Sequence, residues 1–307
     1  MPPFAAQVTA YNEWAEKINE QTEGMVTITL YPAGSLLSPD DMLDGVKSGI
    51  AEIGDMTLGG DTDLFPLSNI LTLPFLDIGE SQEALDIWEQ LQDEYSEMRD
   101  EFEDVKVLFY SGSGADAFAL HSTNKEIRAP EDFAGVKVQA ESGLVAMMES
   151  LNAAPVMHNN MEWYTDLQTG IIDAIWMNWM AVGEMGLLDF LKYDSIFPSG
   201  CMFGEEIVFM NLETWESLPG YVQDIIEDLR PWVEARILEL TSGSNAAGLQ
   251  AAKDAGNAII TLTSAEEDAW YQAALPIHLA YLADLDDQGL PATEIYDRAR
   301  ELAAENE

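Results

Sequence analysis

The segment from Pro130 to Asn178 limits what this chain can fold into more than any other part of it. It opens PEDFAGVKVQAE and closes MEWYTDLQTGIIDAIWMN. A glycine turn at Gly135 leads into a short strand expected over Val136–Gln139, and a helix follows. An amphipathic helix is expected over Met161–Thr169, stopped by Gly170, with a new strand entered at Asp173. This is a β-α-…-α-β layout whose strand ends converge on one crevice. Open α/β sheets bind their ligands in such crevices. Gln139 stands at the strand end. A neutral amide there suits a different ligand from a cation.

Size and charge set the outer bounds. The chain has 307 residues, 47% of them hydrophobic, enough for two packed lobes. It carries 13 Lys and Arg against 56 Asp and Glu, a formal net charge of -43. Nucleic acid is excluded as a partner, because its binding needs a cationic surface to displace counterions. An anionic membrane surface is disfavoured for the same reason. Acids such as Asp93, Glu94, Glu97, Asp100 and Glu101 recur along the whole chain and read as a solvated acidic surface. Such a surface suits a salt-rich medium that screens its self-repulsion, so the melting temperature is expected to rise in molar salt.

Cys201 is the single cysteine, so no intrachain disulfide forms, and it reads as a small buried hydrophobe. No run is long and apolar enough to span a bilayer. The opening MPPFAAQVTAYNEW shows neither a basic n-region nor an apolar core, so the expectation is either that there was no secretory leader or that the sequence begins after its removal.

Elsewhere the pattern alternates between helix and strand. A helix is expected over Ala5–Gln21 and a strand over Met25–Tyr31. A second helix over Ser38–Ser48 is opened by Ser38-Pro39, and a strand follows over Ile50–Met56. That first third reads as α-β-α-β with parallel strands. Further helices are expected over Ser81–Arg99, Leu218–Gly256, Ser264–Leu285 and Ile295–Ala304. Further strands are expected over Val105–Tyr110, Ala117–Ser122, Ile207–Asn211 and Ala258–Leu262.

Catalytic chemistry finds no support. The three histidines, His121, His158 and His278, form no HExxH pair, and no metal or other cofactor is expected. No serine lies in a GxSxG elbow, and the Gly112–Gly114 pair lacks the rest of a dinucleotide fingerprint. The more specific feature is a crowd of aromatics and amides. Trp163, Trp176 and Trp179 lie close in sequence to Asn159, Asn160 and Asn178. The plain reading makes these rings core. The alternative gives Trp176 a π face toward a small solute.

In this order and spacing the motifs resemble one family. NEQTEGMVTITLYPAGSL, DMLDGVKSGIAEIG, LTLPFL, APEDFAGVKV, MEWYTDLQTGIIDA and NLETWESLP are together similar to the DctP-type solute-binding proteins of tripartite ATP-independent periplasmic (TRAP) transporters. The resemblance covers nearly the whole chain. It implies a non-enzymatic, two-lobed α/β periplasmic binding protein with a ligand cleft between the lobes and a long helix spanning both. Such a protein closes on a solute by hinge motion and delivers it to a membrane permease. One lobe is expected to hold 1–118 with about 212–250, and the other 119–211 with about 251–307. The family's first strand precedes the helix at Ala5, and little precedes that helix here.

The departures bear on the ligand. The family usually has Arg after the G-l-K-i strand, where it grips a carboxylate bidentately; this chain has Gln139. A second family Arg falls at Ala119, the usual proline at Glu141, a pocket aromatic at Asn160 and an Asn at Met177, beside Asn178. The resemblance therefore implies a site of Gln139, Glu141, Asn160, Trp176 and Asn178. From the other lobe it adds Thr57, at the end of a strand, and Phe75 in the L-P-F loop. A carboxylate without its Arg loses about 2–5 kcal/mol. A small amine or amino alcohol, ethanolamine-like, is the expected ligand, because amide and carboxylate oxygens accept from ammonium. A polyol is the nearest competitor. A carboxylate held by Lys137 or Arg128 is the remaining alternative.

Overall fold

The computed structural model describes residues 5–59, 63–113, 117–140, 142–201 and 204–306. In chain order the first half runs α1 (Ala5–Gln21), α2 (Met42–Lys47), β1 (Ile53–Thr57), α3 (Ser81–Glu94), α4 (Ser96–Asp100), β2 (Val105–Ser113), β3 (Phe118–Ser122), β4 (Lys137–Gln139), α5 (Ser142–Ser150) and β5 (Ala154–Val156). The rest runs α6 (Trp163–Thr169), β6 (Ala174–Asn178), α7 (Trp179–Glu184), β7 (Tyr193–Ile196), β8 (Gly204–Asn211), α8 (Leu212–Ser217), α9 (Gly220–Asp228), α10 (Arg230–Asp254), β9 (Ala258–Thr261), α11 (Ser264–Asp287) and α12 (Ala292–Asn306).

The strands form two sheets, of order β1-β8-β2 and β5-β4-β6-β3-β7-β9. The first sheet is antiparallel throughout. This corrects the expected parallel unit in the first third. Val26, Ile28 and Leu30 do alternate inward between exposed neighbours, but no strand pairs with Met25–Tyr31 among the described residues. Val26 and Ile28 pack instead against the core that α1 shares with α9 and α10. Alternation reports a half-buried extended chain, and a ladder needs a neighbour as well.

Two other boundaries move for local reasons. Tyr95 adopts extended backbone angles and splits the expected Ser81–Arg99 helix into α3 and α4. Pro231 lies in the first turn of α10, where its missing N–H removes no helical bond.

The lobes are tied by their longest helices. Val233 and Ile237 of α10 pack in the first lobe's core, while Ala252 near its other end packs with Ala119 and Trp179. Trp270 and Ala274 of α11 belong to the second core, and Leu282 and Leu285 to the first. Pro276 falls between those two pairs and breaks the helical hydrogen-bond ladder there. β8 pairs with β1 and β2, and α12 buries Ile295, Ala299 and Leu302 in the first core. Phe75 crosses the other way and packs in the second.

Candidate ligand site

The second sheet builds one rim. β4 runs parallel to both β5 and β6, so their C-terminal ends lie at the same edge. Gln139 ends β4, opposite Val156 of β5 and Ile175 of β6, and the next amide, of Ala140, donates to the Val156 carbonyl at 3.1 Å. Gln139 is 5% exposed, and its side-chain amide, which keeps some access to solvent, has no hydrogen-bond partner among the described residues.

Asn178 ends β6 on the same rim. Its side chain caps α7, accepting the Ala181 N–H at 2.8 Å. Asn245 of α10 accepts the Met180 N–H at 2.8 Å, so the first turn of α7 is held from two sides. Close helix contact completes that support. A Cβ on Gly248 of α10 would lie 2.1 Å from the Trp179 carbonyl oxygen, and only glycine fits there.

Asn160 is half-buried in the loop that follows β5. His158 Nδ1 lies 2.8 Å from the buried Asp166 carboxylate, and that hydrogen bond raises the imidazole's affinity for its proton. The Trp163 indole N–H donates to the His158 carbonyl at 3.0 Å. Asn160 thus sits on a braced loop. Thr57 is exposed at the end of β1, opposite Glu206 of β8. Glu141 lies outside the described residues.

Trp176 and Phe75 have another role. Trp176 is 2% exposed, its indole N–H donates to Cys201 Sγ at 3.0 Å, and its ring stacks on Phe197 at 5.6 Å. Phe75 packs at 5.6 Å from Trp176, and its N–H donates to the Cys201 carbonyl at 3.1 Å. Phe133 and Trp270 close the cage. Neighbouring rings and the cysteine thus occupy the contacts of Trp176, as the plain reading of these rings as core expects. The reading of Cys201 as a buried hydrophobe agrees with its full burial. Sequence reasoning missed Phe197 and Trp270 as cage walls and Asn245 as a support. Phe197 follows β7, a four-residue strand too short to stand out by periodicity.

Neither substitute cation reaches the rim. Arg128 forms a fork on Glu266, with 2.6 Å and 3.2 Å contacts, and also binds Glu126. Lys137 bonds the Gly170 carbonyl and lies 3.4 Å from Asp173, at the opposite end of β4 from Gln139. The remaining arginines are similarly engaged. Arg99 bonds the Gln92 and Asp93 carbonyls, and Arg230 pairs with Glu89 and Glu234. Arg236 pairs with Glu13, Arg298 with Glu94 and Arg300 with Asp77. Among the described residues no group of three His, Cys, Asp or Glu is placed to hold a metal ion, and no helix is long and apolar enough to cross a membrane.

Known proteins agree with this architecture. The sequence profile of the bacterial extracellular solute-binding proteins, family 7 (DctP), matches residues 2–284. A solute-binding protein of Chromohalobacter salexigens is 24% identical over 302 residues, covering 96% of this chain and 87% of that protein. The C4-dicarboxylate-binding periplasmic protein DctP of Rhodobacter capsulatus is 26% identical over 290 residues, covering 90% and 81%. Among solved structures, a marine metagenome TRAP solute-binding protein specific for aromatic acid ligands superposes with a TM-score of 0.89 at 21% identity, covering 99% of this chain and 96% of that one. A TRAP periplasmic solute-binding protein of Chromohalobacter salexigens with bound D-glucuronate superposes with a TM-score of 0.86 at 22% identity, covering 97% of each.

Proposed function

This chain belongs to the bacterial extracellular solute-binding proteins of family 7, and from that premise we propose that it captures a small amine or amino alcohol in the periplasm and hands it to a TRAP permease. The receptor role is that of the family. The amine is the finer reading, and the Gln139 amide carries it: a neutral group at the C-terminal end of β4, without a hydrogen-bond partner among the described residues. An ammonium donates three hydrogen bonds and accepts none, so it suits the carbonyl oxygens of Gln139 and Asn160. The net charge of -43 also steers a cation inward, to the extent that salt leaves the field unscreened.

The related structures above carry acids, and an acid is the principal rival. The two candidate cations for such a ligand, Lys137 and Arg128, already hold Asp173 and Glu266. A thermal-shift panel separates the cases, because a ligand that binds the native state raises the melting temperature by mass action. Ethanolamine-type amines are expected to stabilise the protein. Stabilisation by glucuronate or small dicarboxylates alone would sink the amine reading, and stabilisation by uncharged polyols alone would replace it with theirs.

A further inference from the structure

The first lobe brings an acidic group to the end of its sheet that faces the second lobe. The chain crosses from the first sheet to the second between Ser113 and Phe118 and returns between Ile196 and Gly204. Ser113 pairs with Gly204, so that end of the first sheet lies toward the second lobe. Glu206 stands two residues further along β8, opposite Thr57 of β1. Directly opposed residues of an antiparallel pair share a face, and so do alternate residues of one strand. Thr57, Asp55, Glu206 and Val208 therefore face one way, toward α1, where Val208 packs in a core with Ala10 and Trp14.

Two side chains one turn apart on α1 hold the acids. Gln7 donates through Nε2 to Glu206 at 3.0 Å, and the Tyr11 hydroxyl donates to Asp55 at 3.1 Å. Donors then run short. Gln7 is 5% exposed, and its Oε1, like Asp55 Oδ1, is buried with no hydrogen-bond partner among the described residues. Burial pushes the Asp55 carboxyl up to about 6 against the pull of the Tyr11 hydrogen bond, and no lysine or arginine among the described residues pairs with it. Acceptors without donors and a carboxylate without a cation concentrate negative potential here. Glu206 is half-buried, so a solute in the crevice reaches it before the buried oxygens behind it. A cation beside it offsets the potential, and an acid is repelled.

We propose that Glu206 is the first lobe's contact for the cationic head of the ligand, oriented by Gln7 and backed by the charge of Asp55. Gln7 is a positioning residue: it acts through Glu206. Hinge closure then places the ammonium between this carboxylate and the neutral amides of the second lobe's rim.

The proposal rests on the amine reading of the ligand, and one calorimetric series separates the two. Ethanolamine is titrated into the unaltered chain, Glu206→Gln, Gln7→Ala and the double variant. Glu206→Gln removes the charge and keeps an acceptor for Gln7, and it is expected to weaken ethanolamine at least about tenfold. Gln7→Ala should weaken it about threefold in the unaltered background and not at all beside Glu206→Gln, where no carboxylate is left to orient. Unchanged affinity in Glu206→Gln would overturn the proposal and leave the amine reading standing. Absence of ethanolamine binding to the unaltered chain would overturn both. Equal losses from Gln7→Ala in the two backgrounds would overturn its positioning role. If Glu206→Gln fails to fold, Gln7→Ala decides alone, and unchanged affinity there overturns the proposal.

Discussion

The two edges of the β5-β4-β6 strands handle charge in opposite ways. Where β4 and β6 begin, charge is present and paired: Lys137 lies beside Asp173 and bonds the Gly170 carbonyl, half in water. Where the same strands end, Gln139 and Asn178 are neutral amides, each 5% exposed, and His121 behind them faces Asp194. Lys137 and Gln139 are two residues apart on one strand and lie on one face, yet they meet different environments. In a chain with 13 cations and 56 acids, the arginines are held in ion pairs or on backbone carbonyls away from the ligand rim. On the proposed reading, the rim discriminates by hydrogen-bond donors and acceptors.

The largest expected effect breaks the ligand edge mechanically. Gly248→Ala places a methyl group against the Trp179 carbonyl and forces α7 from α10. It should cost about 3 kcal/mol by overpacking, whereas Gly→Ala in an open helix would stabilise by about 1 kcal/mol. Denaturant titration separates these outcomes by sign. Next, Gln139→Arg gives the ligand edge the charge of the other. Amine binding should weaken by about 2 kcal/mol, roughly thirtyfold, measured by calorimetry. Unchanged affinity would mean that Gln139 does not face the ligand.

The sequence revealed more of the fold than of the site. Gly170 was legible as a helix stop because its left-handed conformation is what glycine supplies, and φ there is 71°. The start of α10 inside the expected Leu218–Gly256 helix was harder to read, although Pro231 stands in its first turn, where proline is favoured. That Gln139 ends a strand was legible from the Gly135 turn before it. The fate of Trp176 was not, because a ring at a strand end can face the crevice or the sheet's covering layer. Phe197 and Trp270, both distant in sequence, decide that choice. The partner of His121 is 73 residues away in Asp194, a separation that no local pattern reports.

A third prediction uses a group at neither edge as a control. Burial between α11 and α12 pulls the His278 imidazole down from 6.5 to about 4. Because its folded value is depressed, the neutral ring's stabilising contribution is present above 6.5 and lost as pH falls toward 4. The loss should be on the order of 1 kcal/mol near pH ~5.5. Melting curves across that window check it, and His278→Gln should flatten the dependence. The smallest expected effects belong to Arg128→Met and Lys137→Met. Both side chains are about two-fifths exposed, so each change should lower the melting temperature slightly and leave ligand affinity unaltered. A large loss of affinity in either would return that cation to the ligand and erase the contrast between the edges.

The most direct measurement of the central claim is a competition by native mass spectrometry. The receptor is mixed with equal concentrations of ethanolamine and glucuronate, and the bound mass is read. The account predicts the ethanolamine adduct in the unaltered chain and its depletion in Gln139→Arg. A glucuronate adduct in the unaltered chain would contradict it.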